Sequence, residues 1–110
     1  MHNPLATTKQ LDTLAQQVFT PLHGEEKVHT ISPAGRLVAF IDRRIKTRFG
    51  NAWYTVSSCQ DFNRLNVWDG TDKVDILLPK SATAEELKTI MSRTRDLYQQ
   101  IKLATNTTAA

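Results

Sequence analysis

The stretch 32–49, SPAGRLVAFIDRRIKTRF, decides what this chain can fold into, because it satisfies two periodicities at once. At 3.6 residues per turn, Ala34, Leu37, Val38, Ile41, Ile45 and Phe49 fall on one stripe. Ser32 can cap such a helix, Pro33 suits its first position, and Gly50 suits the left-handed residue after its last turn. At two residues per step, Arg36 to Phe49 alternates instead, and Gly50-Asn51 becomes a two-residue hairpin loop. Ile45, Thr47 and Phe49 would then share a face with Ala52, Tyr54 and Val56. The opposite face would carry Arg44, Lys46 and Arg48 beside Trp53, a cationic aromatic surface of the sort that binds nucleic acid. A strand of about 14 residues is long against the usual 5–6, and the start and stop signals agree with each other. The balance favours a central helix.

The remaining elements read more simply. Leu11, Leu14, Ala15, Val18, Phe19 and Leu22 recur at helical spacing, with Thr7 or Thr8 as cap and Pro21 as stop. Lys27 to Ile31 alternates as a short strand. Ala52 to Ser58 is rich in β-branched and aromatic residues, as strands are. Arg64–Trp68 and Lys73–Leu78 flank an Asp69-Gly70 turn and pair as a hairpin that Pro79 ends. Thr83-Ala84-Glu85-Glu86 is a capping box opening a helix from Ala84 to Leu103, with Leu87, Ile90, Met91, Leu97, Tyr98 and Ile101 on one face. The expected fold is α+β. A small antiparallel meander of three strands, with room for a fourth, packs against N-terminal, central and C-terminal helices. Residues 1–110 form one domain, with 1–6 and 104–110 as frayed tails.

Composition narrows the class. The chain has ordinary globular usage, with 40% hydrophobic and 23% charged residues. No apolar run approaches the roughly 20 residues of a membrane span, and Met1 to Leu14 lacks a secretory pattern. The single Cys59 allows no internal disulfide and fits a reducing compartment, so a cytoplasmic or otherwise intracellular location is expected, with no membrane partner. The net charge is +3. It is concentrated in Arg36, Arg43, Arg44, Lys46 and Arg48, opposed locally only by Asp42, and such a field attracts acidic partners.

Catalytic and metal chemistry find little support. His23 and His29 have no ligand spacing, and nothing beside Cys59 lowers its pKa. Asp69 and Asp72 bracket a turn and Asp61 lies in a connection, so the carboxylates read as turn chemistry rather than a paired acid and base. No glycine-rich loop cradles a phosphate. No cofactor, no metal and no enzymatic activity are expected.

IDRRIKTRFGNAWYTV, residues 41–56, is similar to the helix-to-strand passage of cytoplasmic dynein light chains. Val74-Asp75-Ile76-Leu77-Leu78-Pro79-Lys80-Ser81 resembles that family's last strand. The resemblance covers about a quarter of the 110 residues. It departs from the family in the room for two strands between Trp53 and Pro79 and in the long C-terminal helix. It implies helix-on-sheet packing and a sheet edge that recognises a partner.

The expectation is a small non-enzymatic interaction or regulatory module. It would dock an acidic protein, or a second copy of itself, through a sheet edge or a basic helix face. The alternative is a nucleic-acid-binding module contacting phosphates through segment 36–48. Either way the candidate contacts are Arg36, Phe40, Arg43, Arg44, Lys46, Arg48 and Trp53.

Overall fold

In the computed structural model the described residues are 3–22, 26–31 and 38–108, with side chains described for 3–22 and 38–105. Helix α1 (Pro4–Phe19) leads into strands β1 (Glu26–Ile31), β2 (Val38–Thr47), β3 (Gly50–Ser58), β4 (Asn63–Trp68) and β5 (Lys73–Leu78), followed by helix α2 (Ala84–Thr108). The strands form one antiparallel sheet in sequence order, a five-stranded meander. Both helices pack on one of its faces.

The α+β class and the helix-on-sheet packing stand, and the element count is corrected. Among the described residues, two helices and five strands replace three helices and three or four strands. The central helix does not form: residues 38–47 are strand β2, hydrogen-bonded to β1 and β3. Ser32, Pro33, Ala34 and Arg36 lie outside the described residues. The hairpin loop also moves. Thr47 pairs with Gly50, so the turn is Arg48-Phe49 rather than Gly50-Asn51. Gly50 has φ 110°, a left-handed value that side chains disfavour, which fixes the turn there. Within it, Phe49 N–H donates to Thr47 Oγ1 at 3.0 Å, and that hydroxyl donates to Gly50 O at 2.8 Å. The dynein-like passage is therefore a β-hairpin, not a helix followed by a strand.

The helix ends shift too. Helix α1 starts at Pro4, with Asn3 Oδ1 accepting from Ala6 N–H at 3.1 Å, in place of a Thr7 or Thr8 cap. It stops at Phe19, where Thr20 adopts a left-handed φ of 50°. Helix α2 opens on the expected capping box: Thr83 N–H donates to Glu86 Oε1 and Glu86 N–H to Thr83 Oγ1. It runs on to Thr108, past the expected end at Leu103.

The inner sheet face is built in cross-strand rows. Ile41, Val56, Leu65 and Ile76 form one; Tyr54, Val67 and Val74 belong to the next. Leu11, Ala15 and Phe19 of α1 cover β2 and β3, and Leu87, Met91 and Tyr98 of α2 cover β4 and β5. Tyr54 is fully buried and its ring stacks on Phe19 at 5.1 Å.

One member of that inner row is charged. Arg43 stands opposite Tyr54 on the face that Ile41 and Ile45 share. Its guanidinium grips the buried Asp12 of α1, with Nε 2.9 Å and Nη2 2.8 Å from Oδ2. The Tyr54 hydroxyl donates to Asp12 Oδ1 at 2.7 Å and Gln16 Nε2 to Oδ2 at 2.8 Å. Four residues earlier on α1, the buried Thr8 hydroxyl donates to Ala39 O of β2 at 3.0 Å. Helix α1 is thus keyed to the sheet by polar bonds sealed inside an apolar interface. Breaking a buried ion pair from one side leaves a desolvated charge, at a cost of about 3 kcal/mol or more. Asp12→Ala should lose about that much unfolding free energy in urea denaturation, and Asp12→Leu with Arg43→Met should recover part of it. Wild-type stability in Asp12→Ala would show that the pair holds nothing.

Candidate functional site

Period-two alternation sends neighbouring residues of one strand to opposite faces, so β2 divides the basic segment. Arg43 points inward to Asp12 and is a structural residue rather than a contact for phosphate. Phe40, Asp42, Arg44 and Lys46 have the other parity and lie on the outer face, opposite α1 and α2. Arg48 is exposed in the β2–β3 turn, its guanidinium 5.1 Å from the centre of the Phe49 ring. Arg36 lies outside the described residues. The candidate contacts that the fold brings together on one surface are Phe40, Arg44, Lys46 and Trp53.

Two rows of that outer face matter most. Arg44, Trp53, Trp68 and Lys73 stand opposite one another on β2, β3, β4 and β5, two cations flanking two indoles. The Trp53 and Trp68 rings are stacked, 5.8 Å between centroids and 13° between planes. The next row holds Asp42, Thr55, Asn66 and Asp75. Trp68 Nε1 donates to Thr55 Oγ1 at 2.9 Å, and Thr55 donates to Asp42 Oδ1 at 2.7 Å, which fixes the orientation of the indole. Beyond it, Arg64 lies 3.2 Å from Asp75 and 4.8 Å from the centre of the Phe62 ring. A groove of about 390 Å³ crosses this face, lined by Phe40, Thr55, Trp68 and Lys73 and by the carboxylates of Asp42, Asp69 and Asp72. Asn66 Oδ1 is buried beside it without a hydrogen-bond partner.

From the sequence, Trp53 and Trp68 on neighbouring strands could stack together or sit on a binding face, and here they are paired and stacked. Arg64 and Lys73 were not among the sequence candidates, although both are cations on the hairpin already assigned.

The groove ends at the β4–β5 turn, which α2 clamps. Asp69 Oδ1 accepts the N–H groups of Thr71 and Asp72, both at 2.7 Å. Its Oδ2 accepts from the Tyr98 hydroxyl at 2.5 Å and lies 3.0 Å from Lys102 Nζ, which also reaches Asp72 at 2.9 Å. Burial alone would raise the Asp69 pKa; the Tyr98 bond, the two backbone bonds and Lys102 outweigh it and hold the carboxyl well below the ordinary range. Burial and the bond to Asp69 push the Tyr98 phenol up, and the bonds to Asp72 and Asp69 raise the Lys102 ammonium.

Cys59 is buried, and its backbone carbonyl accepts from Lys80 Nζ at 2.6 Å. Among the described residues no cluster of His, Cys, Asp and Glu could hold a metal ion, and no helix is long and apolar enough to cross a membrane. His23 and His29 fall outside the described side chains. Compared with known proteins, the chain matches no family model, no curated protein and no solved structure.

A carboxyl whose pKa is depressed by folding contributes stability that is complete above its unfolded value of about 4 and is lost as pH falls below it. Asp69→Asn should therefore be less stable than wild type at pH 7, by about 2 kcal/mol for the charged hydrogen bonds removed. It should also lose stability less steeply than wild type in thermal melts taken below about pH 4. Parallel acid profiles for the two proteins would contradict the clamp.

Proposed function

We propose that this chain is a non-enzymatic module that binds single-stranded nucleic acid across the outer face of its sheet. The observation that supports it best is the row Arg44–Trp53–Trp68–Lys73 on the face opposite α1 and α2. Indole surface suits the stacking of unpaired bases, which tolerates any sequence, and flanking cations suit the backbone phosphates. Lys46 and Arg48 extend the positive charge toward one end of the face, and Arg64 lies two rows away along the strands. A duplex keeps its bases stacked inside and gains little from the tryptophans, so the reading requires preference for single strands. The protein-docking reading draws on a different surface, the open strand β5.

Tryptophan fluorescence of the protein titrated with oligo-dT, oligo-rU and a duplex, at low and moderate salt, tests the proposal. Single strands should quench emission and bind more tightly than the duplex, with affinity falling as salt rises. Trp53→Ala should weaken binding by about 1–3 kcal/mol, the usual worth of a base–aromatic stack. Arg44→Ala and Lys46→Ala should each flatten the salt slope by about 0.7, whereas Lys88→Ala on α2 should leave it unchanged. No binding at low salt, or equal binding of duplex and single strand, would reject the reading.

A further inference from the structure

Among the described strands, β5 is an edge of the sheet, paired with β4 alone. Its unused backbone groups can be assigned residue by residue. Asp69 N–H donates to Asp72 O at 3.0 Å, which closes the β4–β5 hairpin on a hydrogen-bonded pair. Antiparallel pairs alternate, so Val67–Val74, Leu65–Ile76 and Asn63–Leu78 are hydrogen-bonded as well. The bond from Cys59 N–H to Phe62 O at 3.0 Å sets the alternation between β3 and β4, and the two hairpins agree on which β4 residues face β5. The N–H and C=O groups of Lys73, Asp75 and Leu77 therefore point out of the sheet at its open edge.

Lys73 and Asp75 put charge on this edge, but its protection stops there. It carries no proline between Lys73 and Leu78, and Leu77 is 58% exposed. On the helix side a groove of about 290 Å³ runs between β5 and α2, lined by Val74, Ile76, Ile90, Thr94 and Leu97, with Arg93 at its rim. Leu97 is 47% exposed.

We propose that a second copy of this chain docks on that edge, β5 pairing antiparallel with β5 across a two-fold axis at Ile76. An axis perpendicular to the sheet keeps the helix-covered faces together, so only residues of like parity can stand opposite one another. Centred on Asp75, the register sets two carboxylates face to face, which is unfavourable. Centred on Val74, it retains only Lys73 to Asp75 of each strand. Centred on Ile76, it pairs Val74 through Leu78 with no like charges opposed. Ile76 then meets Ile76 of the partner subunit and Val74 meets the partner's Leu78, an apolar row throughout. Asp75 stands opposite the partner's Leu77, and both residues have outward backbone groups, so they exchange both ladder bonds. The two α2 helices flank the seam, where Ile90 and Leu97 of each copy cover the other's groove. The Arg93 stem packs along Leu97 with its charge in water. The sheet becomes ten-stranded and its two outer faces form one surface.

Sedimentation equilibrium of the full chain over a micromolar concentration series tests this. The expected species has twice the 12.4 kDa monomer mass. Leu97→Glu should raise the dissociation constant at least about tenfold, as loss of a buried interface anchor does. Leu77→Pro should do the same with an unchanged far-ultraviolet circular dichroism spectrum, because the Leu77 N–H makes no bond to β4. If Leu77→Pro fails to fold, Leu97→Glu, altered only at an exposed helix position, decides alone. Ile76→Cys in a Cys59→Ser background should oxidise to a covalent dimer, since a non-hydrogen-bonded pair brings its Cβ atoms close. A monomer at every concentration overturns the proposal, as does a dimer undiminished in Leu97→Glu. A dimer that resists the Ile76→Cys cross-link overturns the register.

Discussion

The Asp12 carboxylate is held under the sheet by Arg43, Tyr54 and Gln16, and the architecture depends on that contact. An arginine on the inner face of a central strand would ordinarily forbid burial of that face, because an unpaired cation resists desolvation. Asp12 removes the objection by bringing the opposite charge from a helix 31 residues away in sequence. The pair in turn sets where α1 can lie. A helix displaced or rotated would lose the bidentate geometry, the Tyr54 bond and the Thr8 bond to Ala39 together. Apolar packing of Leu11, Ala15 and Phe19 supplies adhesion, and the polar contacts supply the address.

A second set of polar contacts works at the opposite side of the sheet. Asp69 organises the β4–β5 turn through backbone bonds and is clamped by Tyr98 and Lys102 of α2. Between the helices, Arg95 Nη1 of α2 donates to the Val18 carbonyl near the end of α1 at 3.1 Å, satisfying a group that a helix C-terminus leaves open. The two helices are thus fixed to the sheet and to each other on one face. The opposite face is covered by neither helix, and it is where the cations and tryptophans of β2 to β5 line up.

Much of the local structure was legible in the sequence. The α2 capping box, the hairpin around Asp69-Gly70, strand 52–58 and the apolar stripe of α1 follow from residue type and spacing, and each forms near where it was expected. Segment 38–47 was misread for a physical reason. Counted from Arg36 to Phe49 the strand looked too long, and the Ser32 cap, Pro33 and Gly50 agreed on a helix, whereas β2 spans only Val38–Thr47. The partner that makes Arg43 acceptable inside lies on another element, and no local pattern reveals it.

The sequence by itself determined the class of the fold, the α2 capping box, the Asp69-Gly70 turn and the concentration of positive charge around residues 36–48. These depend on short-range terms: backbone freedom at glycine, missing donors at proline, capping bonds and apolar periodicity. Only the tertiary structure decided how that charge is used. Strand geometry turned Arg43 inward to Asp12 and Arg44 and Lys46 outward, and sheet register set Trp68 beside Trp53 between Arg44 and Lys73. A face is a property of several strands at once, and its composition follows from pairings between residues far apart in the chain.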